Sequence, residues 1–268
     1  MIVTTTKKLS ANERTEITES EVGCAIHYGG PLLDAADAPR AGVLNKGPDK
    51  TCQSTSAETN DVLSRLQEAS RVGRQVVLAS MGTVTTGNHR TLGWNGRPID
   101  TLGNQYGLTG AQMARAVWGG LFDAVGTTGA DEGPLLIVVL GPQPDALGDL
   151  QAPANAVLAP SVPQLDVLKA GNVTFLTHGG QNSFMEALAQ GVPVLVCPTA
   201  GDQFDNARKA EDMGVGLWVD RPQPAVGEEA AAAARYRATV SEKLLLLLDA
   251  SAGFRAKAMA VSEELRYA

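Results

Sequence analysis

The strongest constraint on this chain is the order of apolar runs and glycines between Val173 and Asn206, VTFLTHGGQNSFMEALAQGVPVLVCPTAGDQFDN. Val173 to Thr177 is a short β-branched and aromatic run that stops at His178-Gly179-Gly180, the pattern of a buried strand. Ser183 to Gln190 spaces Phe184, Ala187 and Leu188 as a helix face does, and Gly191 supplies a C-terminal stop. Val192 to Cys197 is a second apolar strand, closed by Pro198 and the loop Thr199-Ala200-Gly201-Asp202-Gln203. With further apolar strands at Val76 to Ser80, Leu135 to Leu140 and Ala156 to Ala159, the expected fold is α/β: a Rossmann-like parallel sheet with helices on both faces.

The first turn has the physics of a diphosphate site. Two glycines after a strand allow a ligand close to the backbone, and the following helix offers free N–H groups and the positive end of its dipole. His178, Asn182 and Ser183 can add side-chain donors to phosphate oxygens. Glu186 lies three residues beyond Ser183, on the same face one turn deeper. A carboxylate there is badly placed for phosphate and well placed for a pair of sugar hydroxyls. Asp202 and Gln203 open the next strand-to-helix loop at the same edge of the sheet, where ligands of open α/β sheets collect.

Residues 178–207, HGGQNSFMEALAQGVPVLVCPTAGDQFDNA, resemble the donor-binding signature of the UDP-glycosyltransferases, family-one enzymes of GT-B fold. The pattern HGG-x-NS-xx-EAL-xx-GVP-(apolar)-P-xxx-DQ-xx-NA fits at nearly every fixed position. The resemblance implies a nucleotide-sugar site. His178, Gly180, Asn182 and Ser183 would meet the diphosphate, Glu186 the ribose, and Asp202 and Gln203 the sugar hydroxyls. It also implies that Gly82 and Thr83, in the loop after the first strand of the donor domain, touch the diphosphate, and that Gln164 contacts the nucleoside. Many relatives carry a Trp three positions before that Gln, to stack on the base; here the position is Ser161.

Composition sets outer bounds. A chain of 268 residues suggests one domain with extensions, and 44% hydrophobic residues suffice for a sizeable core. The net charge of −7 without a basic stripe argues against nucleic acid as a partner. Cys24, Cys52 and Cys197 are odd in number and widely spaced, which suggests a reduced compartment, the cytoplasm, and no metal site. No long apolar stretch suggests a signal peptide or membrane span. The Leu244 to Leu248 run is too short to span, and its charged flanks favour a buried helix turn.

Residues 1–72 read as an irregular extension and linker, and 73–268 as the donor-binding domain. Ile26 to Leu33, IHYGGPLL, has the look of an ordered element, and the resemblance implies that it is a strand closing an acceptor domain. Asn60 to Val72 reads as a helix with Asn60 as N-cap and Val62, Leu63 and Leu66 on one side. Thr85 to Gly110 is a long Gly-, Asn- and Thr-rich insertion containing Trp94, Arg97 and Tyr106. Its length favours a disordered or lineage-specific insert over a ligand lid. Helices are expected at Thr109 to Val125, Asp205 to Met213, Ala225 to Asp249 and Gly253 to Tyr267, and a last strand at Gly214 to Val219.

The implied activity is the donor half of an inverting hexosyl transfer from a nucleoside-diphosphate sugar, UDP-linked by resemblance, to a hydroxyl of a small-molecule or lipid acceptor. No cofactor or metal is implied, because the helix dipole and phosphate donors stabilise the leaving charge. The catalytic base, a histidine in the family, belongs to the N-terminal acceptor domain, so no catalytic residue is assigned here. The alternative is a non-catalytic donor-binding subunit working with a separate acceptor-binding protein.

Overall fold

The computed structural model describes residues 2–3, 27–28 and 57–266, with side chains from 60 to 265. Cys24, Cys52 and most of the Ile26 to Leu33 segment lie outside the described residues; within that segment His27–Tyr28 (β2) pairs in parallel with Ile2–Val3 (β1). The main sheet holds Val76–Ser80 (β3), Leu135–Val139 (β4), Ala156–Ala159 (β5), Val173–Thr177 (β6), Val194–Val196 (β7) and Gly216–Trp218 (β8). All six run parallel in the order β5-β4-β3-β6-β7-β8. The α/β architecture expected from the apolar runs is therefore the one observed.

Helices cover both faces because the strands are apolar at nearly every position. Val76, Leu78, Ile137, Val173 and Phe175 face one core with Ala57–Arg71 (α1), Gln164–Leu168 (α4), Gln181–Ala189 (α5), Gln203–Asp212 (α6) and Phe254–Arg266 (α8). Val77, Ala79, Leu136, Val138 and Leu176 face the other, with Gly110–Val125 (α3) and Glu229–Leu248 (α7). A short helix, Gly82–Thr86 (α2), comes directly after β3. Thr109 caps α3 through a reciprocal pair with Gln112, as its Thr-x-x-Gln sequence requires. Gly120 lets α7 cross α3 closely: a Cβ there would stand 2.6 Å from the Arg237 carbonyl.

Three expectations need correction. The helix read as starting at an Asn60 cap begins at Ala57, and its Val62, Leu66 and Ala69 are buried in the sheet's own core. Of the Leu244 to Leu248 run, Leu244 and Leu247 are buried while Leu245 and Leu246 are 51% and 54% exposed, since one helix face cannot hold five consecutive residues. The insertion is not disordered. Its connecting segment, residues 87–109, folds back on itself through Trp94 N–H to the Gly87 carbonyl (2.7 Å) and Gly110 N–H to the Gly93 carbonyl (3.1 Å). Trp94 and Leu108 are buried in the α3–α7 core, with the Arg115 guanidinium 5.3 Å above the Trp94 ring. A run of small polar residues carries no periodic signal, and two apolar anchors are enough to order it.

The register brings the carboxyl ends of the strands level: Val139, Ser80, Thr177, Val196 and Trp218 stand in one row. The chain winds outward from β3 to β5 in one direction and from β6 to β8 in the other. The strand order therefore reverses between β3 and β6, and that reversal opens a crevice beyond their carboxyl ends.

Candidate functional site

The crevice is walled by the segments that leave β3 and β6. Gly82, at φ +73°, lies against the His178 imidazole: a Cβ on Gly82 would come within 2.5 Å of Cε1 and Nε2. Gly180 packs on the same ring, its Cβ position 2.5 Å from Nε2. The ring is thus held between two glycine backbones. Its Nδ1 is fully buried with no hydrogen-bond partner among the described residues. Burial pushes the His178 pKa down to about 4, against smaller opposing pulls from the Ser80 backbone and the Asp202 carboxylate. At neutral pH the imidazole is uncharged.

Gly180 precedes α5 with extended backbone and no side-chain cap from its own position, so the first-turn N–H groups of α5 open onto the crevice. One of them is taken. The Asp202 carboxylate accepts from Gln181 N–H at 3.2 Å. Asp202 stands at the N-cap position of α6 but makes no side-chain capping bond there. Asn206, one turn into α6 and buried, donates to the Gly179 carbonyl at 2.9 Å and lies 3.5 Å from the Asp202 carboxylate. It ties the glycine corner to α6.

Deeper along α5, Gln164 at the start of α4 donates through Nε2 to Glu186 Oε2 (2.7 Å) and Ser183 Oγ (3.2 Å). The two residues expected at the nucleoside therefore meet each other, together with Ser183 from the expected diphosphate set. Asn182 is exposed on the first turn of α5, and Thr83 is exposed on α2 beside Gly82. Gln203 is buried, and its Oε1 accepts from Thr199 N–H (2.7 Å), Thr199 Oγ1–H (2.9 Å) and Ala200 N–H (3.1 Å). Gln203 thereby shapes the loop that carries Asp202.

Asn206 and Arg221 escape the sequence reading. Asn206 stands four residues after Asp202, a spacing that places both on one helix face and could have revealed it. Arg221 is a lone arginine after β8, and no periodicity marks it. Replacing Asn206 with alanine is expected to cost about 1–2 kcal/mol, because the Gly179 carbonyl loses its buried donor. Urea unfolding reads this directly, and an unchanged midpoint would count against the tie.

Comparison with known proteins agrees with the geometry. Residues 134–225 match the family model for UDP-glucuronosyl and UDP-glucosyl transferases. NDP-glycosyltransferase YjiC of Bacillus subtilis is 39% identical over 83 residues, 31% of this chain and 20% of that protein. UDP-glycosyltransferase 708C1 of Fagopyrum esculentum is 37% identical over 94 residues, 35% of this chain and 18% of its own. Among solved structures, Os79 from O. sativa in complex with U2F and trichothecene superposes with a TM-score of 0.62 at 19% identity, over 99% of this chain and 49% of that one. The glycotransferase of kitacinnamycin gives 0.54 at 23% identity, over 99% and 50%. The chain thus spans about half the length of these solved proteins, and the matched stretch spans about a fifth of the curated relatives. The resemblance read from residues 178–207 holds: this stretch lies within the match to the UDP-glucuronosyl and UDP-glucosyl transferase model, and the fold resembles the C-terminal part of GT-B glycosyltransferases.

Proposed function

We propose that this chain is the donor-binding half of an inverting glycosyltransferase, holding a UDP-linked hexose for transfer to a hydroxyl acceptor. The observation that carries the reading is the imidazole of His178, set between Gly82 and Gly180 at the sheet's reversal point with the head of α5 beside it. A diphosphate lying there takes hydrogen bonds from His178, from the N–H groups after Gly180, and from Thr83, Asn182 and Ser183. Glu186 and Gln164 serve the nucleoside, and Asp202 and Gln203 the sugar hydroxyls. As the bond from the anomeric carbon to the diphosphate breaks, negative charge grows on the leaving oxygen, and the α5 dipole and its N–H groups oppose that charge without a metal.

The acceptor's proton goes to a base in an acceptor-binding domain outside residues 57–266, or in a partner subunit. In the second case the chain is a donor-binding subunit, and it shows transfer only when that partner is added. No helix among the described residues is long and apolar enough to cross a membrane, and the reading favours the cytoplasm.

Calorimetry with UDP, UDP-sugars, TDP-sugars and GDP-sugars tests the reading. UDP-sugars are expected to bind. His178→Ala and Glu186→Ala should each weaken them by about tenfold or more, the worth of a hydrogen bond to a charged group, with the domain still folded. Equal affinity in both variants sinks the site assignment.

A further inference from the structure

Arg221, just beyond β8, carries a guanidinium that is largely withdrawn from solvent and held by backbone carbonyls. Its Nη1 donates to the Thr199 carbonyl and its Nη2 to the Leu108 carbonyl at 3.0 Å, while its Nε is fully buried with no hydrogen-bond partner among the described residues. Removing a cation from water is costly unless its donors are met, and with Nε unpartnered that compensation rests on the two Nη bonds, which constrain the groups at both ends. Those ends lie in different elements. Leu108 closes the 87–109 segment, and Thr199 begins the loop that leads to Asp202 and Gln203.

Thr199 is fixed from every polar side. Its N–H and hydroxyl both donate to Gln203 Oε1, its Oγ1 lies 3.3 Å from Thr85 Oγ1, and its carbonyl belongs to Arg221. The 87–109 segment is anchored to the same stretch of chain a second time. Arg97 pairs with Glu229 at 2.7 Å and reaches the Gly107 carbonyl at 3.3 Å, and Gly107 packs against Pro222. The Arg97 guanidinium holds the Glu229 carboxyl below the usual carboxylate range.

We propose that Arg221 is a positioning residue for the sugar end of the donor site: it clamps the 87–109 segment to the Thr199–Gln203 loop, so that Asp202 and Gln203 keep the placement in which they meet the hexose. The role rests on the donor reading above, although the clamp itself does not. A planar fork can hold two carbonyls at once, which a lysine ammonium on a flexible stem does poorly.

The test pairs amide hydrogen exchange with calorimetry on the whole chain, using Arg221→Met and Arg221→Lys. In Arg221→Met, exchange should rise about tenfold in residues 104–109 and 199–203 together while β6 stays unchanged. The ratio of UDP-glucose to UDP affinity should fall at least about fivefold with UDP itself held within about twofold. Arg221→Lys should lie between the two. Exchange that rises in one loop only, or throughout the sheet, overturns the clamp. An equal loss of UDP and UDP-glucose overturns the sugar-end role. If the unmutated chain binds neither ligand while both loops still loosen together, the donor reading falls, the sugar-end role goes with it, and the clamp stands.

Discussion

Gly82→Ala should abolish detectable UDP binding, an expected loss of at least about a hundredfold, while the chain remains folded. Two effects combine at this position. A φ of +73° costs an L-residue about 1–2 kcal/mol, and the new methyl would stand 2.5 Å from the His178 ring. The ring cannot yield toward Gly180, whose backbone already lies against Nε2. It must swing out of the crevice and, on the donor reading, take its diphosphate contact with it. Gly73 is the control, because its φ is +68° and nothing lies within 4 Å of its Cβ position. Gly73→Ala should show the strain alone, a lower melting temperature with UDP affinity intact. Similar UDP affinities in the two alanine variants would remove His178 from the site.

The second large effect concerns pH. Burial lowers the folded-state pKa of His178 from 6.5 to about 4. Between those values the unfolded chain binds more protons than the folded one, so stability rises with pH across that window. The contribution is complete above pH 6.5 and fades as pH falls toward 4, by up to about 3 kcal/mol. Carboxylates titrate in the same range, so the difference between the unmutated chain and His178→Gln is the quantity to follow: it should move against the unmutated chain on acidification. A bound diphosphate reverses the sense of the titration, because its charge favours the imidazolium. UDP affinity of the unmutated chain, relative to His178→Gln, should therefore strengthen as pH falls toward 4, with extra proton uptake visible as a buffer-dependent binding enthalpy. A profile identical to that of His178→Gln down to pH 4 would count against contact between the phosphates and the ring.

The parallel sheet and its two-sided cover were legible because β3 to β7 are continuous apolar runs punctuated by glycine, and runs of that kind have few alternatives once both faces must be covered. The corner at His178 was legible from two residue types, histidine and glycine, at a strand end. Spacing could not convey how the polar groups divide their bonds among themselves. Asp202 caps α5 rather than α6 because the loop folds back across the sheet edge, and Gln203 spends its oxygen on its own loop before any ligand arrives. Residues 87–109 looked structureless because their order comes from distant partners: Trp94 against Trp118, with ring centroids 6.2 Å apart, and Arg97 against Glu229. Long-range pairs of that kind leave no trace in local composition.

The reversal of strand order also divides labour across the sheet. The central strands β3 and β6 supply the glycine-lined cradle; Gln164 arrives from the wing beyond β5, and Asp202 and Gln203 from the opposite wing beyond β7. On the donor reading, the nucleobase and the hexose are consulted by opposite ends of one ribbon, with the pyrophosphate as their shared hinge. A lineage could then exchange one sugar for another, or one base for another, by editing a single wing and leaving the hinge as it found it.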